Sequence, residues 1–203
     1  MTPKAASAFT IASLAKKYNK DCSVVFGGPH ATLKAEEILK NTRDVDFVVS
    51  GEGEVVLLEL INALQMKGNN FSTIQGLSYR QGDKTVHNTI RSFIDDLDCL
   101  PFPDRETLLG SDTYTSEDMG LLMGSRGCPY SCSYCATQIW TRKVRYRSLS
   151  NIVEEIKHVH LRFGTRQFTF KDDSFTVNRK RVLEFCDNLL ETGLKINWDC
   201  NTR

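Results

Sequence analysis

Along the first third of the chain, short and wholly apolar runs stopped by glycine alternate with helical patterns. That alternation narrows the fold more than any other feature. Residues 22–26, with Val24-Val25-Phe26, read as a strand ended by Gly27-Gly28-Pro29, and residues 45–49, with Phe47-Val48-Val49, as a strand stopped by Gly51. An apolar run with no polar alternation is expected of a strand covered on both faces, as in a parallel sheet. Helices are expected over residues 9–15, 35–40 and 54–65, the last with Val55, Leu58, Ile61 and Leu64 at helical spacing. Strands and helices alternating at these lengths form βαβ units with right-handed crossovers, so the expected class is α/β.

The rhythm breaks at Gly68-Asn69-Asn70. Gly76-Leu77-Ser78-Tyr79-Arg80 and Thr85-Val86-His87, joined through Gln81-Gly82-Asp83-Lys84, read as a β-hairpin. Residues 95–104 contain Leu100-Pro101-Phe102-Pro103 and are expected to be a linker, because each proline biases the residue before it away from helix. A second βα series follows, with strands at 121–123, 167–171 and 195–198 and helices at 149–163 and 179–191. The expected division is therefore 1–68 for the first domain, 69–118 for hairpin and linker, and 119–203 for the second.

Lys and Arg number 26 against 25 Asp and Glu, so overall charge gives no reason to expect a nucleic-acid partner. No apolar run approaches the roughly 18 residues of a membrane span, and Met1-Thr2-Pro3-Lys4 lacks the core of a signal peptide, so a cytoplasmic location is expected. In that compartment the seven cysteines are expected as metal ligands or reactive thiols and not as a disulfide framework.

Three of them stand in Gly127-Cys128-Pro129-Tyr130-Ser131-Cys132-Ser133-Tyr134-Cys135. Iron–sulfur clusters are held by cysteine thiolates in short turning segments, and Gly127 and Pro129 favour a loop that wraps around one. Cys128, Cys132 and Cys135 supply three ligands for four irons, which leaves one iron open to a small molecule. Structural zinc is disfavoured because only Cys132 and Cys135 form a C-x-x-C half-site and no second half-site lies nearby. A redox pair made of those two would leave Cys128 without a role.

C-x-x-x-C-x-x-C after the first strand of a βα series resembles the radical S-adenosylmethionine superfamily. The resemblance implies a (β/α) barrel, here its first half, with a [4Fe–4S] cluster at the strands' C-terminal ends. It implies that S-adenosylmethionine chelates the open iron and that an electron from the reduced cluster breaks its C–S bond, giving a 5′-deoxyadenosyl radical. A one-electron donor of flavodoxin or ferredoxin type is implied with it, as is a small-molecule substrate. Tyr134 occupies the aromatic position that lies beside the adenine in that family. Phe168-Thr169-Phe170-Lys171-Asp172-Asp173-Ser174-Phe175 resembles the second-strand segment of the cobalamin-associated branch, placing Asp172 and Asp173 near S-adenosylmethionine. A loop that merely caps the next helix is the other reading of that acidic pair. Residues 197–203 resemble the third strand, with Arg203 positioned to pair with the S-adenosylmethionine carboxylate.

The first domain resembles the C-terminal part of the cobalamin-binding domain that precedes many such cores, a partial flavodoxin-like sheet. Gly27 and Gly28 on one loop and Glu52 and Gly53 on the next are the cobalamin-contacting positions this implies, since glycines at strand ends let backbone approach a flat ligand. The family's cobalt-ligating D-x-H-x-x-G pattern is absent: none of His30, His87, His158 and His160 has an aspartate two residues before it. The segment order matches the anaerobic tetrapyrrole cyclase and cobalamin-dependent methyltransferase branch, and the chain is expected to be a fragment of a longer protein. A methylthiotransferase-like tRNA modifier is disfavoured because only Cys22 and Cys99 precede the loop, and a non-catalytic iron–sulfur or zinc module is the reading from another class. Arg126, Arg142, Lys143, Arg145 and Arg147 flank the loop and are expected to offset the charge of a thiolate-bound cluster.

Overall fold

In a computed structural model of the chain, residues 4–66, 70–136, 139 and 141–202 are described. They form two compact units, residues 1–94 and 95–203.

The first unit is a four-stranded sheet of order β1-β2-β3-β4, with β1 (Val25–Phe26), β2 (Phe47–Val49), β3 (Leu77–Gln81) and β4 (Lys84–His87). Only β1 and β2 are parallel, with Val25 opposite Phe47. The hairpin β3–β4 adds antiparallel to β2, pairing Phe47 with Tyr79 and Val49 with Leu77. Expected in the linker, the hairpin instead extends the first unit's sheet, because the apolar face of Leu77 and Tyr79 is buried there. Helices α1 (Ala5–Tyr18), α2 (Gly28–Asn41) and α3 (Glu54–Gln65) complete the unit. Helix α2 starts earlier than the apolar spacing predicts, since Pro29 in its first turn fits where no N–H bond is needed.

The apolar run in β2 follows from its place in the middle of three layers. Val48 packs with Ala12, Ala31, Ile38 and Leu39, while Phe47 and Val49 pack with Val56, Leu60 and Leu77. Arg80 reaches from β3 to the end of α2, where its guanidinium donates to the carbonyls of Leu39 (2.9 Å), Thr42 (3.2 Å) and Val45. A cation at a helix C-terminus meets the negative end of the backbone dipole and satisfies carbonyls that have no helical partner. Arg80→Ala is expected to cost about 2 kcal/mol in urea denaturation. A loss below about 0.5 kcal/mol would mean that water replaces the guanidinium at no cost.

The second unit holds a parallel sheet of order β5-β8-β9, formed by β5 (Leu121–Leu122), β8 (Gln167–Phe170) and β9 (Asn197–Cys200). A two-stranded antiparallel ribbon joins β6 (Ser125–Arg126) to β7 (Arg145–Tyr146). Helices α4 (Leu149–Phe163) and α5 (Arg179–Glu191) run over the residues their spacing predicts. The third strand lies two residues later than expected, since its pairing with β8 begins with Gln167 opposite Asn197 and ends with Phe170 opposite Cys200. Leu122 and Phe170 share that face with Ile152 and Ile156 of α4 and Phe185 of α5. Phe185 and Trp198 meet at 5.3 Å and 80°, an edge-to-face contact. Leu121, Thr169 and Asp199 share one register layer on the opposite face, where Leu121 is exposed and Asp199 accepts from Gln167 and Thr169, each at 3.0 Å. A sheet with helices on one face and polar residues on the other is the beginning of a (β/α) barrel. Among the described residues no helix is long and apolar enough to cross a membrane.

Candidate functional site

The cysteine loop leaves the sheet at the C-terminal end of β5. After Leu122 the chain runs through Met123 and Gly124 into β6, makes the loop, and returns through β7, with Ser125 opposite Tyr146 and Arg126 opposite Arg145. The Arg147 N–H donates to the Gly124 carbonyl at 3.0 Å and continues the ribbon to the start of α4. There Ser148 caps the helix by accepting from the Asn151 N–H. The loop is thus held at a two-stranded neck rooted in the sheet, at the strand ends where barrel enzymes place their chemistry.

Gly127 closes the neck. Its φ is +95°, and a Cβ there would stand 2.5 Å from the Lys143 carbonyl oxygen and 3.2 Å from that of Thr141. Thr141 itself has φ +88°, an unusual conformation for a β-branched residue. Inside the loop, the Cys135 N–H donates to the Cys132 carbonyl at 3.0 Å, so the last two cysteines flank one tight turn. Cys128, Cys132 and Cys135 are all half-buried and none is in a disulfide, while Tyr134 is 91% exposed.

Among the described residues no group of three or more His, Cys, Asp or Glu side chains stands close enough to hold a single metal ion. A cluster sets a different requirement, because each thiolate binds a different iron and the ligands stand wider apart than around one ion. A turning loop that carries three half-buried thiols suits the cysteine ligation of an iron–sulfur cluster.

The acidic pair is divided. Asp172 is 1% exposed and ties the end of β8 to the root of the loop, its carboxylate accepting from the Gly124 N–H (2.9 Å) and the Ser125 hydroxyl (2.5 Å). Asp173 is exposed. The capping alternative fails for Asp172, since α5 is capped by Asn178, which accepts from the Arg181 N–H. Burial pushes the Asp172 carboxyl above its ordinary value of 3.8, with the Ser125 and Gly124 hydrogen bonds pulling part of the way back. Arg181, Tyr146 and Cys200 are the ionisable groups whose charge it feels or perturbs. With the carboxyl raised, the folded protein binds more protons than the unfolded chain between 3.8 and the raised value, and stability falls as pH rises through that window. Asp172→Asn is expected to flatten this part of the stability–pH curve in urea titrations, and a curve parallel to wild type would refute it.

Arg147 does not face the loop. Its guanidinium donates to Glu155 (2.6 Å), to the Met123 carbonyl (3.0 Å) and to Asn151 (2.7 Å), so it serves the fold and does not offset charge at the loop. Lys143 pairs with Asp95 at 2.8 Å on the surface, and Arg145 is buried in β7. Arg203 and Trp140 lie outside the described residues.

In the first unit, the two glycine loops expected at a cobalamin face come together. The Thr32 hydroxyl donates to the Gly28 carbonyl (2.9 Å) and accepts from the Gly51 N–H (3.1 Å), joining the ends of β1 and β2. Gly28 (φ +86°) and Gly51 (φ +81°) have no atom within 4 Å of a hypothetical Cβ, so both expose backbone. Gly53 precedes α3, and the Glu52 carboxylate accepts from the Ile94 N–H at 2.7 Å. Open backbone at adjacent strand ends fits a large planar ligand. The residues that sequence reading missed are Ser125, Glu155 and Arg105, joined to Asp172 or to each other across 47 and 50 positions.

Comparison with known proteins agrees with this geometry. Residues 1–61 match the family described as B12 binding domain, and residues 122–202 match the Radical SAM superfamily. An uncharacterised methyltransferase of Pyrococcus horikoshii is 35% identical over 97% of this chain and 43% of its own length. The anaerobic magnesium-protoporphyrin IX monomethyl ester cyclase of Cereibacter sphaeroides is 33% identical over 88% of this chain and 30% of its own length. The chain therefore spans less than half the length of either relative. Among solved structures, the cobalamin-dependent S-adenosylmethionine radical enzyme OxsB, with aqua-cobalamin and S-adenosylmethionine bound, superposes with a TM-score of 0.75 at 22% identity, over 97% of this chain and 28% of that one. At that identity the likeness speaks for the fold.

Proposed function

We propose that the chain, whose residues 122–202 match the Radical SAM superfamily and residues 1–61 the B12 binding domain family, is part of a cobalamin-associated radical enzyme. Cys128, Cys132 and Cys135 would hold three irons of a [4Fe–4S] cluster, the fourth being left for S-adenosylmethionine. When bound, the cluster supplies one electron that splits a sulfonium C–S bond, releasing methionine and a 5′-deoxyadenosyl radical. The observation that carries the reading is the position of the three thiols, on a loop whose neck is rooted at the C-terminal end of the first parallel strand.

The chain's own residues orient the rest. Tyr134, exposed beside Cys135, offers an aromatic face to the adenine. Asp173, exposed at the end of β8, can accept hydrogen bonds from ribose hydroxyls or the ammonium group. Gly27, Gly28, Glu52 and Gly53 border the face where cobalamin would rest, and Arg203 is the proposed partner of the S-adenosylmethionine carboxylate. The reaction class is methyl transfer or ring closure on a small molecule, with a flavodoxin or ferredoxin type protein as electron donor.

The test is anaerobic reconstitution with ferrous iron and sulfide, then reduction by dithionite with S-adenosylmethionine present. Formation of 5′-deoxyadenosine and methionine supports the proposal. A bound cluster that yields neither product identifies a non-catalytic iron–sulfur module.

A further inference from the structure

We infer that Asp172 is the positioning residue that fixes the root of the cysteine loop, acting through Gly124 and Ser125 and not by touching a cofactor. The inference rests on the reading of the loop as a cluster site.

Three thiols on an irregular loop can serve one cluster only if the loop's base is fixed, since misplacements of about 1 Å in a reactive site cost on the order of 10²-fold. In this structure the base is short: two residue pairs between β6 and β7, and the close approach of Gly127 to the returning strand. Neither feature joins the neck to the middle strand of the sheet. Asp172 does so from the end of β8, where one oxygen takes the Gly124 N–H and the other the Ser125 hydroxyl, three residues before Cys128.

The rest of the surroundings act in the same direction. Ser125 is 4% exposed, and a Cβ on Gly124 would lie 3.5 Å from the Asp172 carboxylate, 3.2 Å from Ile152 and 3.3 Å from Phe175. The carboxylate thus sits in a fitted slot. The Asp172 carbonyl accepts from the Asn201 side chain at 3.3 Å, and the Asn201 carbonyl accepts from the Phe175 N–H at 3.0 Å, which fixes the Asp172 segment to the end of β9. From the other side, Arg181 of α5 lies over the Tyr146 ring at 4.8 Å and donates to the Arg147 carbonyl at 2.5 Å. Asp172 is therefore the link between the ends of all three parallel strands and the loop. Because both oxygens of Asp172 face Gly124 and Ser125, the exposed Asp173 is the member of the pair available to a ligand.

The experiment compares wild type with Asp172→Asn and Ser125→Ala after anaerobic reconstitution with ferrous iron and sulfide. Loss of iron to a chelator and the electron paramagnetic resonance spectrum of the reduced cluster are read alongside the melting temperature. Phe185→Leu, a core change in α5 that removes none of the hydrogen bonds of the neck, is the control for general destabilisation. Both neck variants are expected to lose iron about tenfold faster than wild type and to show an altered spectrum, as outer-shell substitutions at metal sites do, while Phe185→Leu keeps the wild-type rate and spectrum. Should Asp172→Asn fail to fold, Ser125→Ala decides alone. Wild-type retention and spectrum in the neck variants, or equal loss in Phe185→Leu, overturns the inference. A wild-type chain that takes up no cluster refutes the underlying reading, and the inference with it.

Discussion

Glu155→Ala is expected to lower the stability of the second unit by about 3–5 kcal/mol, the cost of leaving buried charge uncompensated. Glu155 is 1% exposed, and its two oxygens accept from Arg105 (2.8 Å) and Arg147 (2.6 Å). The arginines have a second task. Arg105 donates to the carbonyls of Met119 (2.8 Å) and Leu121 (2.9 Å), and Arg147 to that of Met123 (3.0 Å). Those alternate carbonyls form one edge of β5, while the other edge pairs with β8, where the Lys171 N–H donates to the Leu122 carbonyl at 2.8 Å. Two guanidinium groups thus complete the hydrogen bonding of a strand edge, and the Glu155 carboxylate makes their burial tolerable. Removing it leaves the buried Arg105 and the largely covered Arg147 without their counter-charge.

This arrangement differs from an isolated buried ion triad, which apolar residues often replace without loss. Here the double variant Arg105→Met/Glu155→Leu is expected to remain destabilised, because the Met119 and Leu121 carbonyls lose their donors at about 1–3 kcal/mol each. Urea denaturation followed by circular dichroism decides both points. Loss of less than about 1 kcal/mol in Glu155→Ala would show that water reaches the network and screens it.

The second large effect is expected at Gly127. Gly127→Ala would put a methyl group 2.5 Å from a backbone carbonyl oxygen in a buried position, at φ +95°. Neither strand of the neck can yield without breaking the pairing of Arg126 with Arg145. Gly164 serves as the comparison, for it has φ +71° but no atom within 4 Å of where a methyl group would stand, and it only ends α4. Gly164→Ala is expected to cost about 1 kcal/mol, the conformational penalty alone. Gly127→Ala is expected to cost more than that and to reduce bound iron on the order of tenfold, as an opened neck separates Cys128 from Cys132 and Cys135. Equal stability losses and equal iron contents in the two variants would show that the neck does not govern the site.

Much of the architecture can be read in the residues themselves. Helix α4 begins and ends where the apolar spacing places it, because Ile152, Ile156 and Val159 must all face one core, whereas helix α3 keeps its predicted bounds but buries Val56 and Leu60 and leaves Leu58 and Ile61 of the predicted stripe exposed. Strand β9 shows the limit: Ile196, Trp198 and Cys200 all pack on the core, so apolar spacing alone does not say where the pairing with β8 starts, and the ladder runs from Asn197 to Cys200. The hairpin is legible as a hairpin, but pairing with β2 is a contact across many residues that no local pattern encodes. The cysteine triplet stands out because its ligand types and spacing are local. The Asp172 contact to Ser125 and the Glu155 contact to Arg105 are made across 47 and 50 residues, and no local pattern in the sequence joins the partners. What distinguishes them is burial, which only the folded chain supplies.

The central claim is that Cys128, Cys132 and Cys135 hold one cluster with an iron left open. Mössbauer spectroscopy of the anaerobically reconstituted chain, with and without S-adenosylmethionine, tests it most directly. The expected spectrum holds about four irons per chain, one of which changes its signal when S-adenosylmethionine is added, and that signal is lost in each single cysteine-to-alanine variant. Four irons that stay equivalent with S-adenosylmethionine present, or an intact cluster in the Cys128→Ala variant, would contradict it.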